Sequence, residues 1–260
     1  RDLHLSIRRQ RQMCIRDRLY GMSLMELQQF DVGCLDTGTP YGSNFPHQIP
    51  AHGQRIPTLP KLAEMLRGIG ANHVLLNIEV KIDPRNPEWS PHPSKFATLL
   101  LEELDEIQWL NKSWVQSFNW HVLQAVQAQE PAVPTGYLTS EQPNFNTVSL
   151  NQLNTSPWLA GFDPENFNGD LSLAIQEAGG RYWGPNYLDL TKRRIQKAHQ
   201  VDLEVHTWTV NEPADIAKLS RWGVNGITSD YPDRARSALS GLGVCLPSPI
   251  PIVGELFPGA

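Results

Sequence analysis

Residues 74–84 read VLLNIEVKIDP, and the setting of this stretch decides the fold. Side chains in a strand alternate between faces, so Val74, Leu76, Ile78, Val80 and Ile82 share one side while Leu75, Asn77, Glu79, Lys81 and Asp83 share the other. One face is apolar and the other turns polar towards its C-terminal end. Taken alone, the pattern suits a half-exposed antiparallel strand with Glu79 and Lys81 in water. The flanking sequence argues for a different setting.

Helical and strand periods alternate along the chain. Upstream, IPTLPKLAEMLRGIG places Leu59, Leu62, Ala63, Leu66 and Ile69 at helical spacing, with Thr58 as N-cap and Gly68 or Gly70 as the stop. Downstream, Phe96, Leu99, Leu100, Leu104 and Ile107 trace a second amphipathic helix, then come the strand WVQSF, a helix over 121–129 and the strand VPTGYLT. After a looser region through WLAGFDP, Asp170 opens the helix LSLAIQEAG, which Gly179 or Gly180 ends before the strand RYWGPN. Thr191 caps TKRRIQKAHQ ahead of the strand LEVHTWTV, Asn211 caps EPADIAKLSRW, Gly223 ends it, and VNGITSD is the last strand. Strands separated by helices of this length join through right-handed crossovers, which predicts a parallel sheet.

A parallel sheet is covered on both faces, so a charged pair inside one is unusual. In a (β/α)8 barrel the chemistry sits at the C-terminal ends of the strands. Glu79, Lys81, Ser117, Phe118, Trp208, Asn211, Ser229 and Asp230 all fall at such ends.

Composition is that of an ordinary globular chain. Its 260 residues, 40% apolar and 19% charged, suffice for a sizeable core. The formal charge of −5, with no Lys/Arg-rich run beyond residue 18, argues against a nucleic-acid surface and favours a small or anionic metabolite. Cys14, Cys34 and Cys245 are widely spaced and form no C-x-x-C or Cys/His cluster in the sequence, which argues against a zinc site or a disulfide framework. No apolar run is long enough to span a bilayer, so no integral membrane segment is expected.

The polar end of 74–84 has a chemical logic. Lys81 suits a phosphate oxygen as a point charge, but Glu79 beside it repels the same phosphate unless a divalent cation stands between them. Carboxylate, cation, phosphate and ammonium then alternate in charge, as metal-assisted phosphoester chemistry requires. A structural Glu–Lys pair without ligand is the other reading of that spacing.

Further blocks carry a resemblance. LLNIEVK, WVQSFNW, YWGPNYLDLT and LEVHTWTVNEPADIAKLSRWGVNGITSDYPD, in this order and spacing, resemble the glycerophosphodiester phosphodiesterase family over about 22–236, and MSLMELQQFDVG with RIPTLPKLAEML resembles the family's insertion and the helix before its third strand. The resemblance implies a TIM barrel of the phospholipase-C-like type that hydrolyses glycerophosphodiesters to glycerol 3-phosphate and an alcohol with a divalent cation, calcium or magnesium. It implies Glu79 as a metal ligand, Lys81 as the phosphate contact, and Phe118 and Trp208 as an apolar wall for the glycerol side. The two rings also suit a plain core role. Asp230 matches a family position, yet a cap on the last helix is the reading taken for it.

The family's H-R-G, P-E-N-T and E-x-D motifs, expected on and after the two strands ahead of 74–84, do not occur in residues 1–73; with a later H-D motif they carry the two acid and base histidines and two further metal ligands. Six strands are found, starting with the family's third, so the barrel is expected to lack its first two. RDLHL resembles the family's H-D segment, but residue 1 is Arg1 and His4 does not take the role. Met13–Arg18, MCIRDR, reads like a translated mosaic-end adapter from transposase-based DNA libraries and is set aside as a sequencing scar. The expected organisation is a spurious or incomplete segment over 1–21, a partial barrel domain over 22–240 and a Pro-rich extension over 241–260. Without the acid and base histidines the chain as written is expected to be inactive. A non-catalytic barrel binding a phosphorylated ligand or partner is the alternative, and a phospholipase D-type lipid cleaver a third.

Overall fold

The computed structural model describes residues 19–149 and 155–248. The adapter-like segment and the end of the Pro-rich extension lie outside them. Two compact units divide the described residues: 19–72 with 88–90, and 73–87 with 91–248.

In the first unit, helix α1 (Leu24–Leu27) is held by a capping box, in which Ser23 Oγ accepts from Glu26 N and the Glu26 carboxylate accepts from Ser23 N at 2.8 Å. Helix α2 (Leu59–Gly68) starts where the sequence places it, with Thr58 Oγ1 accepting from Lys61 N and Pro60 in the first turn. It stops at Ile69, and Gly70 follows at φ 72°, a left-handed conformation that favours glycine.

The second unit repeats strand and helix. In chain order it contains β1 (Leu76–Glu79), α3 (Pro93–Glu106), β2 (Ser113–Ser117), α4 (Trp120–Gln129), β3 (Thr135–Thr139), β4 (Glu141–Gln142) and β5 (Phe145–Asn146). It continues with α5 (Leu171–Glu177), β6 (Tyr182–Pro185), α6 (Lys192–Gln200), β7 (Glu204–Thr207), α7 (Pro213–Trp222), β8 (Gly226–Ile227) and α8 (Pro232–Gly241). Six strands form one sheet in the order β1-β2-β3-β6-β7-β8, every pair parallel. The spatial order follows the chain order without reversal, which is barrel winding and not the switch-point order of a doubly wound sheet. The antiparallel β4–β5 hairpin is an insertion after β3 that the sequence reading passed over as loop.

One face of this sheet is dry. Ser113, Val115, Ser117, Tyr137, Trp183, Val205 and Thr207 are all at most 5% exposed. Trp120 of α4 is fully buried and T-stacked on Tyr137 at 4.8 Å, with its indole N–H donating to Leu138 O at 3.3 Å. Tyr137 itself donates to Ala178 O at 2.7 Å, and burial pushes its phenol pKa up to about 12. Trp120→Ala is expected to cost about 3–5 kcal/mol through the cavity it leaves. A urea midpoint unchanged in that variant would contradict this assignment of the core.

The opposite face is half exposed: Asn77 is exposed, and Glu79, Trp114, Gln116, Tyr182, Glu204 and His206 are intermediate. Burial on both faces was the expectation for a parallel sheet. The physical reason for the difference is that β1 and β8 each have one strand partner among the described residues, so the sheet is not closed and its inward side chains lack a facing wall.

Two expected caps are corrected. Helix α7 is N-capped by Glu212 without a side-chain bond, and α8 by Tyr231 likewise. Asn211 and Asp230 are instead bonded to each other: Asn211 Nδ2 donates to Asp230 Oδ2 at 2.8 Å, while Asn211 Oδ1 accepts from Asp230 N at 2.9 Å and from Ser229 Oγ at 3.1 Å. With Pro213 at the first helical position of α7, one orphan N–H is already removed, and the Asn211 amide is committed across the strand ends.

Candidate active site

Glu79 ends β1, where its parallel register sets it beside Gln116 of β2. The ladder continues one residue further, with Val80 N donating to Gln116 O at 2.9 Å and Ser117 Oγ donating to Val80 O at 2.6 Å. This fixes the backbone from which Lys81 projects. Lys81 Nζ contacts Glu79 Oε1 directly, so the two side chains singled out from the sequence are an ion pair. The Lys81 side chain is 77% exposed and that of Glu79 27% exposed. Exposed pairs of this kind contribute roughly 0–1 kcal/mol, too little to account for the pair as a stability device. Asn77, one alternation below Glu79, donates to Gln116 Oε1 at 3.0 Å.

Phe118 follows β2 and Trp208 follows β7, each half-buried. Their rings meet perpendicular at 5.3 Å. Trp208 donates its indole N–H to Gly184 O at 2.8 Å, which commits the polar atom to the sheet and leaves the ring as an apolar surface. Two rings that the sequence reading did not single out complete the cluster. Phe145, carried by the β4–β5 hairpin, stands 4.9 Å from Phe118, and Trp158 stands 5.7 Å from Phe145. The hairpin's only sequence signal is the Pro143-Asn144 turn between two residue pairs, too short for a strand period.

Arg85 was also missed. Its guanidinium lies 5.2 Å from the Trp158 ring and grips Asp83 in a two-point pair, Nε to Oδ1 at 2.8 Å and Nη2 to Oδ2 at 2.7 Å. The Arg85 guanidinium holds the Asp83 carboxyl below its usual range despite partial burial. Asp83 therefore stays ionised and spoken for, one alternation beyond Lys81.

These residues do not by themselves build a site for a hard cation. Calcium takes about six to eight oxygen ligands. The end of β1 supplies one carboxylate, and the Lys81 ammonium is already on it. Among the described residues, Asp31, Cys34 and His52 of the first unit are the three side chains of ligand type close enough to share an ion.

Comparison with known proteins identifies the family and the fold. A family model described as "Glycerophosphoryl diester phosphodiesterase family" matches residues 10–234. YhdW of Bacillus subtilis, provisionally named a glycerophosphodiester phosphodiesterase, is 28% identical over 81% of this chain and 69% of its own length. A solved structure from Silicibacter pomeroyi, provisionally named a glycerophosphoryl diester phosphodiesterase, is 31% identical with a TM-score of 0.71, covering 86% of this chain and 69% of its own. The fold is also that of a phosphodiesterase from Oleispira antarctica solved in complex with the product sn-glycerol-3-phosphate, at 19% identity, a TM-score of 0.58 and coverage of 84% and 71%.

Proposed function

This chain belongs to the glycerophosphoryl diester phosphodiesterase family, and on that premise we propose that its strand ends are part of the site of a phosphoric diester hydrolase cleaving glycerophosphodiesters to glycerol 3-phosphate and an alcohol. Such diesters are what remains of phospholipids after loss of their acyl chains, which puts the reaction in glycerophospholipid breakdown. The observation that carries the reading is the exposed Lys81–Glu79 pair at the C-terminal end of β1, with the Phe118–Trp208 wall at the C-terminal ends of β2 and β7.

Lys81 binds a non-bridging phosphate oxygen as a point charge, turning away from Glu79 to do so. Phe118 and Trp208 receive the carbon skeleton of the glycerol and exclude water from its apolar face. A divalent cation, calcium or magnesium, would polarise the phosphoryl group when bound, with Glu79 as one of its ligands. Among the described residues, no further ligand of that cation and no proton donor for the departing alcohol is assigned. The substrate is a small molecule in this reading, with no nucleic acid involved. No helix among the described residues is long and apolar enough to cross a membrane.

The test uses a fusion in which two upstream βα units of the Silicibacter pomeroyi relative are joined to residue 19. In it, Trp208→Ala is expected to reduce the preference for glycerol-bearing diesters over simple aryl phosphodiesters, with thermal stability little changed. Lys81→Ala is expected to act mainly on KM. A Trp208→Ala protein that is strongly destabilised yet keeps its substrate preference would return that ring to the core and remove the wall.

A further inference from the structure

The irregular middle of the first unit is tied at its two ends. Val32 N donates to Gln54 O at 2.9 Å and Ala51 N donates to Gly33 O at 2.9 Å, so residues 31–34 and 51–54 run side by side. The Asp31 carboxylate clamps both segments, one oxygen accepting from Gly33 N at 2.9 Å and the other from Gly53 N at 2.8 Å. Contact is close enough that a Cβ on Gly33 would fall 1.8 Å from Ala51 O, so no other residue fits there. The frame is set by the backbone.

On this frame Cys34 Sγ lies 3.0 Å from His52 Nδ1. Ligand atoms of Asp31, Cys34 and His52 all lie within 4.8 Å of one another. The sequence reading found no Cys/His cluster because 18 positions separate Cys34 from His52, and only the pairing of the two segments joins them.

We propose that Asp31, Cys34 and His52 form a zinc site that pins the two ends of this loop, a role separate from phosphodiester chemistry. One thiolate, one imidazole and one carboxylate make a borderline-soft donor set, which suits zinc and not calcium or magnesium. Zinc bond lengths place tetrahedral ligand atoms roughly 3.3–3.6 Å apart, so the present separations need only small side-chain shifts to close. The two backbone N–H groups on the Asp31 carboxylate orient it on the frame that carries Cys34 and His52. His52 is exposed, which leaves the fourth position to water. An irregular loop has little core of its own, and a metal that joins its ends stabilises it because the ion binds the folded arrangement and not the unfolded chain.

The experiment titrates the reduced, metal-free 260-residue chain with cobalt(II) as the spectroscopic probe, then with zinc. One cobalt per chain is expected, with a near-ultraviolet thiolate-to-cobalt band and the visible bands of a tetrahedral ion, both bleached by zinc. Cys34→Ser is expected to lose the near-ultraviolet band, His52→Ala to lose the tetrahedral spectrum, and the Cys14→Ser/Cys245→Ser double variant to keep both. An oxygen-only site around Glu79 gives no thiolate band, so it cannot imitate this result. Absence of the band in the unmodified chain, its survival in Cys34→Ser, or its loss in the double variant would overturn the proposal.

Discussion

Given glycerophosphocholine and calcium or magnesium, the 260-residue chain alone is expected to release no glycerol 3-phosphate above background, and the fusion carrying two upstream βα units is expected to turn it over. Cleavage needs a proton for the leaving alcohol and a base or nucleophile on the other side of phosphorus, and a positioned acid or base contributes about 10²–10⁴-fold. No H-R-G occurs in the sequence and no E-x-D stands ahead of residue 74, and Glu79 is one carboxylate where a hard cation takes about six or more oxygens. The structural consequence runs parallel. Strands β1 and β8 each offer a free edge among the described residues, and open edges invite pairing between chains. The added strands cover those edges, so the fusion should also elute as a smaller species than the chain alone. Turnover by the unfused chain would show that the proton-transfer groups are already within it.

Much of the fold was legible because it rests on local rules. Thr58, Asp170 and Thr191 cap the helices the sequence assigned to them, and Gly223 ends α7 at φ 97°. Six strands with helices between them follow from spacing alone. The cap expected from Asn211 failed because an amide that satisfies Ser229 and Asp230 across 18 or 19 positions of chain is not available to the next turn, and pattern reading sees only the next turn. Hairpin β4–β5 was missed because two-residue strands have no period to read.

The same division holds at the site. Glu79 and Lys81 were visible because a charged pair inside an apolar strand is rare, and the structure joins them directly. Phe118 and Trp208 were visible at strand ends by position, and the structure brings their rings into contact. Phe145, Trp158 and Arg85 reach the cluster through loops whose course is a tertiary fact, so nothing in their neighbouring residues announces them. Asp31, Cys34 and His52 illustrate the point most plainly, since a backbone pairing between distant segments makes the cluster.

The central claim is that the polar end of β1 is where the phosphodiester is handled. Glu79→Gln keeps the shape of the side chain and its contact with Lys81 while removing the charge a cation needs. The decisive measurement is therefore glycerol 3-phosphate release from glycerophosphocholine by the fusion and by its Glu79→Gln variant, across a series of calcium or magnesium concentrations. Glutamine is expected to lower the rate by about two orders of magnitude or more and to raise the metal concentration required about 10–100-fold, with thermal stability within about 1 kcal/mol because the pair is exposed. An unchanged rate with unchanged metal dependence would contradict the assignment of Glu79 and, with it, of this end of the sheet.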